Sequence, residues 1–317
     1  MTTLTAPPAR AARRPRNPNR PAWEEQPSIA GQGAKGLTLG AVVLLILLPL
    51  YCVVLTSFST AGAINRAGGL VIVPDGLTLD AYTTMLRDDT VRQSLVVTAG
   101  VTAVGTVISM VVSVLCAYGL SRSRSLGHRP LLLTLVVTMF VSGGLIPTFL
   151  VVANGLNGFG KYWTLILPNA VSVFNILVLR SFYSGTAAEL IDAARMDGAS
   201  EWRILWSVVL PTTRAVTAVI SLFYAVGYWN TFFNAMLYLP ADHQKWPLQM
   251  VLYQYVSRGV NMPGQVNSGY GIAGHSQTAP LSLQMAVVVL TLLPITIVFP
   301  FMQKHFAKGM LTGAIKG

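Results

Sequence analysis

Apolar positions run almost unbroken through six stretches of the chain, at about 39–58, 94–120, 131–153, 162–182, 212–239 and 281–303. Each supplies the roughly 20 helical residues that a bilayer core requires, while polar positions collect between them. The fourth stretch carries Pro168, Asn169 and Asn175 in its interior, and the charge pattern below still requires it to cross. The predicted fold is all-α, a polytopic membrane protein of six transmembrane helices occupying residues 37–317. Residues 1–36 are rich in Pro, Arg, Ala and Gly without apolar periodicity, which predicts a disordered basic tail lying near anionic membrane lipid.

Composition agrees: 53% of the 317 residues are hydrophobic and 10% are charged, too few to solvate a water-soluble globule of this size. The net charge of +11 would suit a nucleic-acid partner, so the location of the charges decides. With the N-terminus inside, sixteen of the 22 Lys and Arg fall on the cytoplasmic side, and Arg66, Arg87, Arg92, Lys161, Lys245 and Arg258 outside. That asymmetry is what the positive-inside rule describes, with both termini cytoplasmic, and it leaves no excess charge for nucleic acid to explain. The first apolar run follows a 38-residue leader and is too long for the central region of a signal peptide, so a retained span is expected. "GQGAKG" at 31–36 has a dinucleotide-type glycine spacing, but no strand precedes it. Cys52 and Cys116 both lie in apolar runs, where packing is their expected role.

The spans are as informative for what they lack. Ion-coupled transporters keep ionisable groups at membrane depth, and none stands at mid-span here; Arg180 and Arg214 sit at cytoplasmic ends, within reach of water. The four histidines fall in loops or at a span end, so no catalytic or metal-ligating residue is expected. A phosphate-binding loop is missing as well, and uphill movement of a substrate would need energy from another polypeptide.

Four of the eleven acidic residues nevertheless gather in one connecting segment, "ELIDAARMDGASEWRILWSVVLP", residues 189–211. It reads as two short cytoplasmic helices. Glu189 and Asp192 stand near the positive end of the first, Ala193 and Ala194 permit close approach of another surface, and Gly198 follows Asp197 where a left-handed cap would stop the helix. The second begins after Ser200, a plausible N-cap by residue type, and places Trp202, Leu205, Trp206 and Val209 on one face; Pro211 would end it. Such a segment suits either an interfacial helix resting on headgroups or a knob that docks into a soluble partner.

"DAARMDGASEWRILWSVVLP" resembles the EAA loop of ABC importer permeases: Asp192-Ala193-Ala194, Gly198, Val208 and Leu210-Pro211 stand in register with its pattern, with Asp for Glu and Val for Ile. The resemblance extends from about residue 37 and is closest to the maltose-type carbohydrate permeases, whose tail "FPFMQKHFAKGMLTGAIKG" is similar to. "YWNTFFNAMLYL" and "KWPLQMVLYQYV" are similar to the branch importing complex or pectin-type oligosaccharides. The resemblance implies a coupling helix, Glu189 to Pro211, inserted into the cleft of an ATPase subunit, with its acidic residues facing that partner. It also implies a second homologous permease, an ABC ATPase dimer that uses ATP and Mg, an extracellular sugar-binding lipoprotein, and the plasma membrane of a bacterium. The chain itself is expected to bind no cofactor. Alternatives are an ABC permease for amino acids or peptides, and a polytopic scaffold or intramembrane enzyme.

For a sugar, aromatic faces and amides are suitable contacts. Tyr224, Tyr228 and Asn230 in the fifth stretch, with Asn169 in the fourth, are the candidate pathway residues; at 1.5 Å per residue Tyr224 lies about 18 Å from Thr212, near the midplane. Trp229 could equally be a headgroup anchor.

Overall fold

The computed structural model describes residues 29–122, 127–141, 143–185, 187–257 and 280–314. The basic tail up to residue 28, the segment 258–279 and the last three residues lie outside that set. Among the described residues the chain is helical, with one isolated antiparallel bridge, Ser59–Leu77, and no strand.

The helices are α1 (Ile29–Ser57), α2 (Ala61–Ala67), α3 (Asp80–Arg87), α4 (Asp89–Ser121), α5 (His128–Phe140), α6 (Leu145–Leu150), α7 (Trp163–Ile166) and α8 (Val173–Ser184). They are followed by α9 (Ala188–Met196), α10 (Glu201–Ile204), α11 (Leu210–Thr212), α12 (Arg214–Trp229), α13 (Phe233–Tyr238), α14 (Leu248–Ser257) and α15 (Pro280–Ala314). The chain divides into two compact units, residues 1–50 and 51–317. In the first, α1 starts at Ile29, so residues 29–36, grouped by composition with the basic tail, are helical.

Among the described residues three helices are individually long and apolar enough to cross a bilayer: Ala30–Ser57, Asp89–Ser121 and Leu281–Pro300. Up to three more crossings arise if each of three bent helix pairs is one span. The stretches predicted as single spans at 131–153 and 162–182 are therefore interrupted. The stretch at 212–239 also stops early, because α12 ends at Trp229 and Asn230 turns its amide back onto the Val226 carbonyl at 2.9 Å. Side chains that bond nearby backbone in this way compete with helix continuation.

In the second unit α4 is the centre. Asp88 opens it by accepting the Val91 N–H at 3.0 Å, a side-chain cap for one of the free amides of the first turn. Along one face Gly105, Ser109, Ser113 and Ala117 recur every fourth residue, and Val216, Ile220, Tyr224 and Tyr228 recur every fourth residue along α12; all eight are buried. Bulky side chains of α12 thus fill the hollow that small residues leave on α4, packing of row against row that also serves inside membranes. The fit is tight: a Cβ added at Gly105 would lie 2.8 Å from the Tyr228 ring. On the other side of α12, the Trp229 indole N–H donates to the Thr291 carbonyl of α15 at 2.9 Å, so this tryptophan ties two helices together. Helix α14 is pinned to α4 where the Leu248 N–H donates to Thr98 Oγ1 at 2.7 Å.

Candidate functional site

The acidic loop folds as two helices, as its sequence predicts, and the join is specific. At the end of α9 the Gly198 N–H bonds the Arg195 carbonyl and the Ala199 N–H bonds the Ala194 carbonyl, each at 3.0 Å. Those are the two bonds of a Schellman stop, and Gly198 takes the left-handed conformation it requires, with φ of 77°. A Cβ at Gly198 would meet nothing within 4 Å, so the glycine is there for its backbone and not for close packing. Ser200 then adopts the extended geometry of an N-cap (φ −68°, ψ 154°), although its side chain makes no capping bond.

The second helix does not run as a plain α-helix into Pro211. After α10 it widens into a π turn over Leu205–Val209, where the Leu210 N–H reaches back to Leu205. A proline at 211 lacks an N–H and its ring crowds the carbonyl four residues earlier, and the widened turn accommodates that defect. Pro211 itself lies within α11, and the chain turns later, at Thr213. There the backbone N–H and hydroxyl both bond the Val209 carbonyl, at 2.9 and 2.6 Å, and the axes of Glu201–Thr212 and Arg214–Trp229 meet at 86°.

The π turn also divides the apolar stripe. Trp202 and Trp206 are 63% and 65% exposed, whereas Leu205 and Val209 are 2% and 0% exposed, buried in the core beside Ile204. A wider turn advances less per residue, which carries Val209 back beneath Leu205 and away from the tryptophans. The exposed apolar side chains of the loop are therefore Trp202 and Trp206, with Met196 and Leu190 of α9, while Leu205 faces the core. Leu210 is half-buried and packs against the core; Pro211 is exposed.

The acids divide too. Glu189, Asp192 and Asp197 are exposed, and Ala193 lies exposed beside half-buried Ala194. Asp192 pairs within its helix with Arg195 at 3.2 Å, an i,i+3 arrangement of small energetic weight. Glu201 faces inward: it pairs with Arg122 just beyond α4, accepts from the Tyr118 hydroxyl, and lies 3.4 Å from the Arg195 Nε. Arg122 in turn lies 5.0 Å from the centre of the Tyr118 ring. Not every acid of the loop thus faces outward, and this link escaped sequence reading because some 80 residues separate its partners. Nearby, the Arg180 Nε donates to the Leu120 carbonyl at 2.8 Å, fastening α8 to the same end of α4.

The four pathway candidates separate by burial. Tyr224 and Tyr228 are buried, with their hydroxyls on Ser113 and Ser109 of α4 at 2.7 and 2.8 Å. Asn169 and Asn230 are exposed, Asn230 accepting from the Gln249 amide at 3.2 Å. Asn169 ends a short 3₁₀ turn, Leu167–Asn169, that follows α7, and the axes of Trp163–Asn169 and Val173–Ser184 differ by 52°. The structure thus brings the two tyrosines together and leaves Asn169 on the open side of a broken helix. Among the described residues no group of three or more His, Cys, Asp or Glu could hold a metal.

Comparison with known proteins supports a transport role for this arrangement. Over 275 residues the chain is 42% identical to the polygalacturonan/rhamnogalacturonan transport system permease protein YtcP of Bacillus subtilis, covering 86% of this chain and 94% of that one. It is 39% identical over 282 residues to protein LplC of the same organism, covering 89% and 93%. A solved chain from a bacterial ABC transporter involved in the import of the acidic polysaccharide alginate superposes with a TM-score of 0.79 at 29% identity, covering 89% of this chain and all of that one. Residues 109–312, which include the loop, α12 and most of α15, match a family model outright, and the chain belongs to the binding-protein-dependent transport system inner membrane components.

Proposed function

We propose that this chain is one permease subunit of an ABC importer that carries a sugar or oligosaccharide across a bacterial plasma membrane. The loop at 189–211 carries the reading: a Schellman-closed helix pair leaves Trp202, Trp206 and Met196 exposed while Glu201 ties it to Arg122 at the end of α4. Two tryptophans and a methionine left outside on so short a segment form a surface suited to a protein cleft. In this reading the cleft belongs to an ATPase subunit that uses ATP and Mg, and Glu189, Asp192, Asp197 and Ala193 sit at its rim. A second, similar permease completes the pathway, and an extracellular lipoprotein delivers the sugar. The substrate class rests on the permease of the polygalacturonan and rhamnogalacturonan system that the chain resembles over nearly its whole length.

In the same reading the three bent pairs complete a six-span topology with both termini inside. Asn169, exposed at the break of the fourth span, faces the substrate. Motion begins when the two ATPases close and push the tryptophan face.

Reconstitution tests this directly. The chain, its partner permease and the ATPase, in vesicles supplied with the binding protein, are expected to accumulate labelled galacturonate oligosaccharides in an ATP-dependent way. Accumulation of an amino acid or peptide in their place would overturn the substrate class. A Cys at Ser200 labelled from outside intact cells would overturn the orientation.

A further inference from the structure

A helix that breaks at membrane depth exposes backbone groups that lipid cannot satisfy, so such breaks survive only where protein buries them or water reaches them. The break in the fourth span shows which groups are at stake. Ala170 closes a 3₁₀ turn onto the Leu167 carbonyl at 3.1 Å, which frees the Ile166 carbonyl that it would otherwise have bonded. Farther on, the Ser172 N–H lacks its regular helical partner, the carbonyl of Pro168.

Both freed groups are met by the same helix. The Tyr228 hydroxyl donates to the Ile166 carbonyl at 3.1 Å, and the Ser172 N–H donates to the Tyr224 hydroxyl at 3.1 Å. Each hydroxyl has a second partner on α4, Ser109 for Tyr228 and Ser113 for Tyr224. The rings are held in place by the small-residue row of α4, where Gly105 admits the Tyr228 ring. On the far side of the break Leu167, Asn169, Val171 and Phe174 are exposed.

We infer that Tyr224 and Tyr228 are positioning residues: their hydroxyls hold the fourth span broken, so that Asn169 and its neighbours face the water-filled substrate pathway. The tyrosines do not touch the sugar; they set the shape of the segment that does. This inference rests on the importer reading and adds to it a role for two buried hydroxyls, beyond the packing of their rings against α4.

The experiment uses the full importer complex in membrane vesicles, with Cys52 and Cys116 replaced by Ser and Asn169→Cys introduced. A small charged methanethiosulfonate reagent is expected to modify position 169 from the aqueous phase, and saturating oligosaccharide is expected to slow it. Tyr224→Phe and Tyr228→Phe keep the rings and remove only the hydroxyls. Each is expected to change the modification rate by about tenfold, the scale on which an unpaired buried backbone group is felt. Both are also expected to raise the KM for uptake more than they change the rate of ATP hydrolysis. Ser109→Ala and Ser113→Ala loosen the same hydroxyls but leave the backbone bonds in place, and are expected to stay within about twofold of the parent rate.

A position 169 that never reacts from either face, Phe variants that react at the parent rate, or Ala variants that behave like the Phe variants would each overturn the inference. Uptake by the parent complex is measured in the same vesicles. Absence of uptake beside hydroxyl-dependent labelling would sink the importer reading and leave the positioning role standing.

Discussion

Two of the three breaks that interrupt the helices of this permease are closed in different ways. At Thr213 the bend is 86°, and one residue closes it, by placing its own N–H and hydroxyl on the Val209 carbonyl four positions back. At Ala170–Ser172 the bend is 52°, and the closing hydroxyls come from tyrosines more than fifty residues farther along the chain. The first break is a local device that travels with its loop. The second depends on α4, α8 and α12 being assembled together, so its shape reports on the whole core.

The largest expected effect falls on the local side. Gly198→Arg sets a side chain at a φ of 77°, a strain of about 1–2 kcal/mol, and projects a charge into open space that the ATPase would occupy. Uptake and the substrate-stimulated part of ATP hydrolysis are expected to disappear while the chain still inserts and co-purifies with its partner permease. Transport at the parent rate would mean that the loop does not couple the two subunits.

Next comes the assembled core. Gly105→Val drives a side chain against the Tyr228 ring, 2.8 Å from where its Cβ must sit, and overpacking of this kind costs about 1–3 kcal/mol. Thermal unfolding in detergent is expected to move to lower temperature. If the second break depends on the core as described, reagent access to a Cys at Asn169 changes in the same variant. Unchanged access would separate the break from the seam.

Between the two regions stands Glu201. Glu201→Gln removes the charge that pairs with Arg122 and Arg195 but keeps the side-chain shape. A partly exposed pair contributes about 1 kcal/mol or less. A severalfold drop in sugar moved per ATP hydrolysed is expected, with little change in stability; the ratio of the two rates, measured in one preparation, is the test. Smallest of all, Thr213→Val deletes the hydroxyl bond to Val209 and keeps the backbone one, for a loss of about 1 kcal/mol or less in unfolding experiments and nearly normal uptake. A large uptake defect there would show that the first break is not self-contained.

What the sequence reveals follows the same division. The left-handed stop at Gly198 is legible because helix caps are written within a few residues, and the apolar stretches are legible because membrane depth is a fixed length. The exposed tryptophans are half legible: their spacing marks a face, but the π turn that withdraws Val209 from it to lie beneath Leu205 arises from how Pro211 is accommodated in three dimensions. Depth and chemistry mark Tyr224 and Tyr228 as pathway candidates, but not that their hydroxyls meet Ser113, Ser109 and the helix break at Ala170–Ser172. No local pattern announces those partners, and the same holds for Arg122 and Glu201.

The tyrosines seated on the small-residue row of α4 have a mechanical consequence. Two helices interlocked by rings in a groove and by paired hydroxyls resist sliding past each other, so α4 and α12 form one solid arm. The loop grips that arm twice, through the chain at Thr213 and through the Glu201–Arg122 pair at the end of α4. Under the proposed coupling role, a thrust on Trp202 and Trp206 would be delivered at two points of a rigid crank, and its force would emerge as rotation of the arm and not as bending of a single rod.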